Sequence, residues 1–155
     1  MRTRLVILLV LMISLAHARA QTSPTATATS RPARKLYVQP SSGSLAGGKA
    51  RLVVTSLTRE GLAYVGDYQI KVVPYFFKNE KGKLSITISD SALTDLSEKR
   101  PVECSGKAVT NVTNKTRPIK ASAIPATADG GALKITVLTD NGPLVFDTSY
   151  QFRVK

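Results

Sequence analysis

The chain has 155 residues, 22 of them basic and 10 acidic, for a net charge of +12, with one cysteine, one histidine and no tryptophan. A single cysteine excludes an intrachain disulfide. The histidine, His17, lies ahead of any strand-forming segment, which excludes Ser-His-Asp and Cys-His catalysis and histidine-held metal from the rest of the chain.

Met1–Arg4 carries Arg2 and Arg4, an apolar run follows from Leu5 to Ala16, and Ala18-Arg19-Ala20 puts small residues at both positions a signal peptidase reads. Residues 1–20 therefore read as a signal peptide cut between Ala20 and Gln21, with Ala18 as the neighbouring cut. The apolar run is too short to span a bilayer, which takes about 20 apolar residues. Export to the periplasm or the exterior is the expectation. Loss of Arg2, Arg4 and Arg19 takes three of the 22 basic residues and none of the 10 acids, which leaves a net charge of +9.

Residues 21–35, QTSPTATATSRPARK, hold Thr, Ala, Ser and Pro and almost nothing large and apolar. Such a segment cannot bury enough surface to fold and reads as a disordered spacer. From residue 36 to 155 the texture is that of one all-β domain. Leu36–Gln39 is a short first strand, closed by Pro40 and Ser-Ser-Gly. Lys49–Thr58 is a second, with Val53, Thr55 and Leu57 on one face. Arg59-Glu60-Gly61 turns the chain into Tyr64–Val73, where Tyr68, Ile70 and Val72 alternate with Gln69, Lys71 and Val73. Gly66 inside it marks a bulge or a close approach of backbone.

Pro74 ends that strand. Lys78–Lys83 reads as a polar hairpin turn with Gly82 at positive φ. Leu84–Ser89 alternates again. Asp90–Arg100 is the one helix, capped by Ser89 or Asp90 and stopped by Pro101. Val102–Val112 and Thr116–Ala126 are two strands around a polar turn, in which Asn111 and Asn114 head glycosylation sequons in form. Asp129-Gly130-Gly131 is a turn. Leu133–Thr139 and Leu144–Phe152 close the domain around Asp140-Asn141-Gly142, whose Asn-Gly suits a type I′ hairpin. The fold class is all-β: a single antiparallel meander of about 7–8 strands, barrel or sandwich, with one short helix.

The basic residues fall in two groups along the sequence. Lys78, Lys81 and Lys83 surround one turn, and Lys107, Lys115, Arg117 and Lys120 surround another. With Tyr75 beside Lys78, these are the candidate contacts to an anionic partner. Cys104 follows Val102 on an alternating run and reads as a buried structural thiol. Asp67, inside an apolar strand, is the acid whose burial most needs checking. No Gly-rich phosphate loop, nucleophile elbow or acidic calcium loop occurs, and neither a cofactor nor a metal is expected. The sequence points to a non-catalytic binding module. Its candidate partners are a polyanion, an anionic envelope surface or another exported protein. The alternatives are a structural, envelope-associated accessory protein and a lipocalin-like carrier of a small apolar ligand.

Overall fold

Side chains that alternate between apolar and polar dominate from Leu36 onward, and the chain spends them on strands. The structure, a computed structural model, describes residues 34–45 and 47–154. The leader with its cleavage site, His17 and the spacer up to residue 33 lie outside the described residues. The strands are β1 (Arg34–Val38), β2 (Ser41–Leu45), β3 (Gly48–Val54), β4 (Thr58–Glu60), β5 (Ala63–Val73), β6 (Glu80–Thr87), β7 (Val102–Thr110), β8 (Thr116–Thr127), β9 (Gly130–Thr139) and β10 (Gly142–Val154). The helix α1 (Asp90–Ser97) lies between β6 and β7.

All ten strands belong to one antiparallel sheet, in the order β1-β10-β9-β8-β7-β6-β5-β3-β2, with β4 also on β5. The sheet curls into a half-barrel, so of the two expected architectures it is the barrel type and not the two-sheet sandwich. Its inner face carries the core. Tyr64, Phe146, Leu57, Ile86 and Ile135 are the largest fully buried side chains. Phe152 packs edge-on to both Tyr64 and Tyr150, each at 5.7 Å between ring centroids, an arrangement aromatic quadrupoles favour.

The two edges of the sheet meet along β1 and β2. β1 pairs with the far half of β10, from Arg34 opposite Val154 to Val38 opposite Tyr150. On its other side Leu36 exchanges backbone hydrogen bonds with Leu57, at 2.9 and 2.8 Å. β2 pairs instead with β3 and presses against the near half of β10, where a Cβ on Gly43 would stand 2.3 Å from the Val145 carbonyl oxygen. One run of chain thus serves both edges, which leaves few free edge groups.

Several details differ from the sequence reading, each for a local reason. Ten strands form because Ser41-Ser42-Gly43 and Arg59-Glu60, both read as parts of turns, lie in β2 and β4 and pair with neighbours. β1 begins at Arg34, so Arg34 and Lys35 are strand residues and not spacer. In β3 the inward residues are Ala50, Leu52 and Val54, the opposite phase to Val53 and Thr55. Leu57 is still buried because β3 stops at Val54 and the break at residues 55 and 56 resets the alternation. Gly82 lies within β6 and has no positive φ. It faces inward, where a Cβ would stand 1.9 Å from the Val109 carbonyl oxygen. At the β9–β10 hairpin Gly142 takes φ 106° while Asn141 stays at negative φ. A type I′ turn needs positive φ at both central residues, so this hairpin does not use one.

The helix matches its signals. The Ser89 hydroxyl accepts the Ala92 N–H at 3.1 Å, Leu96 is buried, and Lys99 at φ 61° ends the helix before Pro101. Because the strands alternate in direction, the β2–β3, β5–β6, β7–β8 and β9–β10 connections gather at one end of the half-barrel. The helix and the β4–β5 and β8–β9 turns gather at the other.

Candidate binding site at the mouth of the half-barrel

Each of the four connections at the first end contributes to the wall of one cavity of about 410 Å³. The β2–β3 side supplies Leu45, and the β5–β6 connection supplies Tyr75, Phe77 and Lys78. Val112 and Thr113 come from the β7–β8 turn and Asn141 from the β9–β10 hairpin. Ile70, Val72 and Leu144 form the apolar floor. The volume falls within the range of ligand pockets, about 300–1,000 Å³.

Two charged residues enter this end of the barrel. Arg117 continues the inward-facing series of Ile119 and Ala121 on β8, and Glu80 opens the inward series of Gly82 and Leu84 on β6. Their side chains are only 13% and 24% exposed. Arg117 Nε donates to Glu80 Oε2 at 3.0 Å, and Nη2 donates to Oε1 to complete a two-pronged pair. The hydrogen bonds that Arg117 donates to Glu80 hold its pKa above the usual guanidinium value, against the cost of burial. Among the described residues Nη1 meets only Asp140 Oδ2, at 3.7 Å, and so keeps donors for a further acceptor. Behind the pair, Tyr68 is buried with its hydroxyl unpartnered among the described residues. Burial first, and the nearby Glu80 charge second, push its pKa up, and Arg117 opposes them.

The rim is ordered by short contacts. Lys78 Nζ lies 5.2 Å from the centroid of the Tyr75 ring, and Tyr75 meets Phe77 edge-on at 6.0 Å. Asn79 Oδ1 accepts the Val72 N–H at 2.7 Å, which secures the end of β5. The buried Thr110 hydroxyl contacts Thr113 Oγ1 at 2.8 Å and accepts the Lys115 N–H at 3.2 Å. Asn114 between them takes φ 51°, a conformation asparagine tolerates. Lys115 Nζ reaches Asp140 Oδ2 at 2.5 Å, and this contact holds the Asp140 carboxyl below its ordinary range.

The structure regroups the candidate residues. Tyr75, Lys78, Lys81 and Arg117 line the cavity, and Lys115 sits at the same end. Lys83, Lys107 and Lys120 point outward from the sheet, exposed. Registers place Lys83 opposite Val109, Lys107 opposite Pro118 and Lys120 opposite Thr136. Each successive lysine is therefore one strand over and two residues along, and Lys134 on β9 adds a fourth step. Such diagonal neighbours lie about 7–8 Å apart. Asp67 holds Lys83 at 2.8 Å and Asp147 holds Lys134 at 3.9 Å, while Lys107 and Lys120 have no acidic partner among the described residues.

Two other residues singled out from sequence fall outside the cavity. Asp67 is exposed and serves as the partner of Lys83. Cys104 is half-buried, facing a small apolar crevice by Leu36 and Tyr150. Burial, then the Glu103 charge, push its thiol pKa up, away from the thiolate a nucleophile needs. Among the described residues no cluster of His, Cys, Asp and Glu is placed to hold a metal. A scan of protein-family models, a search of curated proteins and a search of solved structures each return no match for this chain.

Proposed function

We propose that the domain is an exported, non-catalytic binding module whose site is the mouth cavity, and that it takes a small amphipathic molecule with an apolar body and an anionic end. The observation that carries this reading is one cavity that combines an apolar floor with, at its wall, a half-buried Arg117 with spare donors. An apolar chain gains by leaving water against Ile70, Val72 and Leu144. An acidic head gains from a guanidinium that Glu80 already orients, so little ordering remains to be done on binding. The absence of an activated nucleophile among the described groups near the cavity favours binding over chemistry, and the leader-like N-terminus favours work outside the cytoplasm.

The test is displacement of an environment-sensitive fluorescent probe by medium-chain alkyl carboxylate, alcohol and ammonium compounds of equal length. The carboxylate should compete best and the ammonium worst. The Glu80→Leu, Arg117→Leu double variant should lose that preference while remaining folded, because it removes the pair without stranding a charge. Equal competition by all three head groups would reject the assignment of Arg117.

A second reading, contact with a linear polyanion, is favoured by the lysine diagonal on the outer face. Binding to an immobilised sulfated polysaccharide should weaken steeply with salt. Lys107→Gln with Lys120→Gln should flatten that slope, whereas no change in slope would dismiss the diagonal as a site.

A further inference from the structure

We infer that the mouth end is a membrane-docking face, which seats on an anionic bilayer with Phe76, Phe77 and Val112 entering the headgroup region. These are the most exposed large apolar side chains of the described residues, at 65%, 82% and 84%. They come from two different connections, the 3-10 turn Phe76–Lys78 and the β7–β8 turn. Phe77 and Val112 nevertheless stand on the rim of the same cavity. Nothing in the core needs them there. Amphipathic faces that bind bilayer surfaces combine apolar tips with flanking cations, and aromatic rings settle at the headgroup level.

The charges at this end have the sign that an anionic surface requires. Glu80 and Asp140 are already engaged by Arg117 and Lys115. Lys81, on the cavity wall, and Lys49, at the start of β3, have no acidic partner among the described residues. Among the described residues Lys78 is held only against the Tyr75 ring. Long lysine stems can extend upward to phosphates while the apolar tips go deeper. At the opposite end the acids Asp90, Asp95 and Asp129 sit with Arg59, Arg100 and Arg34. The favourable surface is thus the mouth and not the domain as a whole. Discrete apolar tips ringed by unpaired lysines fit a fluid, anionic lipid surface better than the continuous apolar patch a stable protein interface presents. Docking in this orientation extends the ligand reading of the cavity, since it would open the cavity onto the lipid phase, but the two are separable by experiment.

The chain contains no tryptophan, so Phe77→Trp supplies one reporter at the rim. Its emission should shift to the blue on adding vesicles of phosphatidylcholine mixed with phosphatidylglycerol, and unshifted emission would overturn the proposal. Sedimentation with the mixed vesicles should exceed that with phosphatidylcholine alone by about tenfold or more, because each lysine near an anionic surface adds to partitioning. It should fall about tenfold or more in Phe76→Ser, Phe77→Ser, Val112→Ser, whose changes all lie on exposed tips. Retained binding by that variant, or binding abolished only by Lys107→Gln with Lys120→Gln, would place the contact elsewhere and overturn it. Phe76→Ser alone, which lies outside the cavity wall, should weaken sedimentation and leave binding of the soluble probe unchanged. Conversely, the Glu80→Leu, Arg117→Leu variant should still sediment with vesicles even where it has lost the carboxylate preference.

Discussion

Replacing Glu80 by Gln keeps the shape of the side chain and removes its charge. Arg117 then remains 13% exposed with a neutral partner and with Asp140 at 3.7 Å from Nη1. Breaking a fully buried pair from one side costs about 3–5 kcal/mol, and an exposed pair is worth about 0–1 kcal/mol. Glu80 and Arg117 lie nearer the buried limit, but the cavity admits water and glutamine still accepts one hydrogen bond. The expected loss is about 2 kcal/mol. With a urea slope of about 1–1.5 kcal/mol per molar for a domain of this size, the unfolding midpoint should fall by about 1.5 M. The same change releases one of the two guanidinium donors that Glu80 occupies, so competition by an alkyl carboxylate should strengthen as stability weakens. The Glu80→Leu, Arg117→Leu double variant should lie within about 1 kcal/mol of the parent. A Glu80→Gln midpoint within about 0.3 M of the parent, or a double variant less stable than the single, would refute the account of the pair as a buried charge held by one acid.

Two further predictions address the seam and the inner tyrosines. Gly43→Ala should destabilise by about 1–3 kcal/mol or more, because its Cβ would meet the Val145 carbonyl oxygen at 2.3 Å and backbone cannot move aside cheaply. Gly61→Ala is the control: nothing lies within 4 Å of its Cβ and only its φ of 62° opposes a side chain, a cost of about 1–2 kcal/mol. Equal urea midpoints for the two would argue against close packing at the seam. Burial pushes the Tyr68 and Tyr150 phenols above 10.0, aided by Glu80 at Tyr68 and Cys104 at Tyr150. The unfolded chain therefore loses these protons first, so stability is intact below pH 10 and falls as pH rises beyond it. Among the five tyrosines, phenolate absorbance should show Tyr68 and Tyr150 titrating late and together with unfolding. A single transition for all five, with a flat urea midpoint, would contradict the burial of those hydroxyls.

The strands that alternate without interruption were legible from sequence. β6, β9 and the run from Tyr68 to Val72 show a two-residue period, and that period alone assigns Ile86, Ile135 and Ile70 to the core. β2 was illegible because Ser-Ser-Gly-Ser has the composition of a turn. It is held as a strand by the partner chain in β3 and by the absence of a side chain at Gly43, both non-local facts. The phase of β3 failed for a related reason. Leu57 is buried, but counting back from it crosses the break after Val54, and a one-residue error inverts the face of every side chain.

The placement of the basic residues was legible only in part, for the same reason. Proximity in sequence grouped Arg117 with Lys115 and Lys120, as basic residues around a turn. Strand geometry separates them, since alternate residues face opposite sides: Arg117 shares its side with Ile119 and Ala121, and Lys120 shares the outer face with Lys107. Extending the alternation of β8 by one step toward its start would have placed Arg117 inside, and the same step on β6 would have placed Glu80 on the same inner face. A buried cation with a facing acid at one end of an otherwise apolar series is a readable signal. What no count of residues could supply is that Phe77 and Val112 line the same cavity as that pair. Phe77 and Val112 are 35 positions apart in the sequence, and only the curl of the sheet brings their connections to one rim. Vesicle docking is therefore the measurement that most directly tests whether that curl, and not the chain's net charge, decides where the protein makes contact.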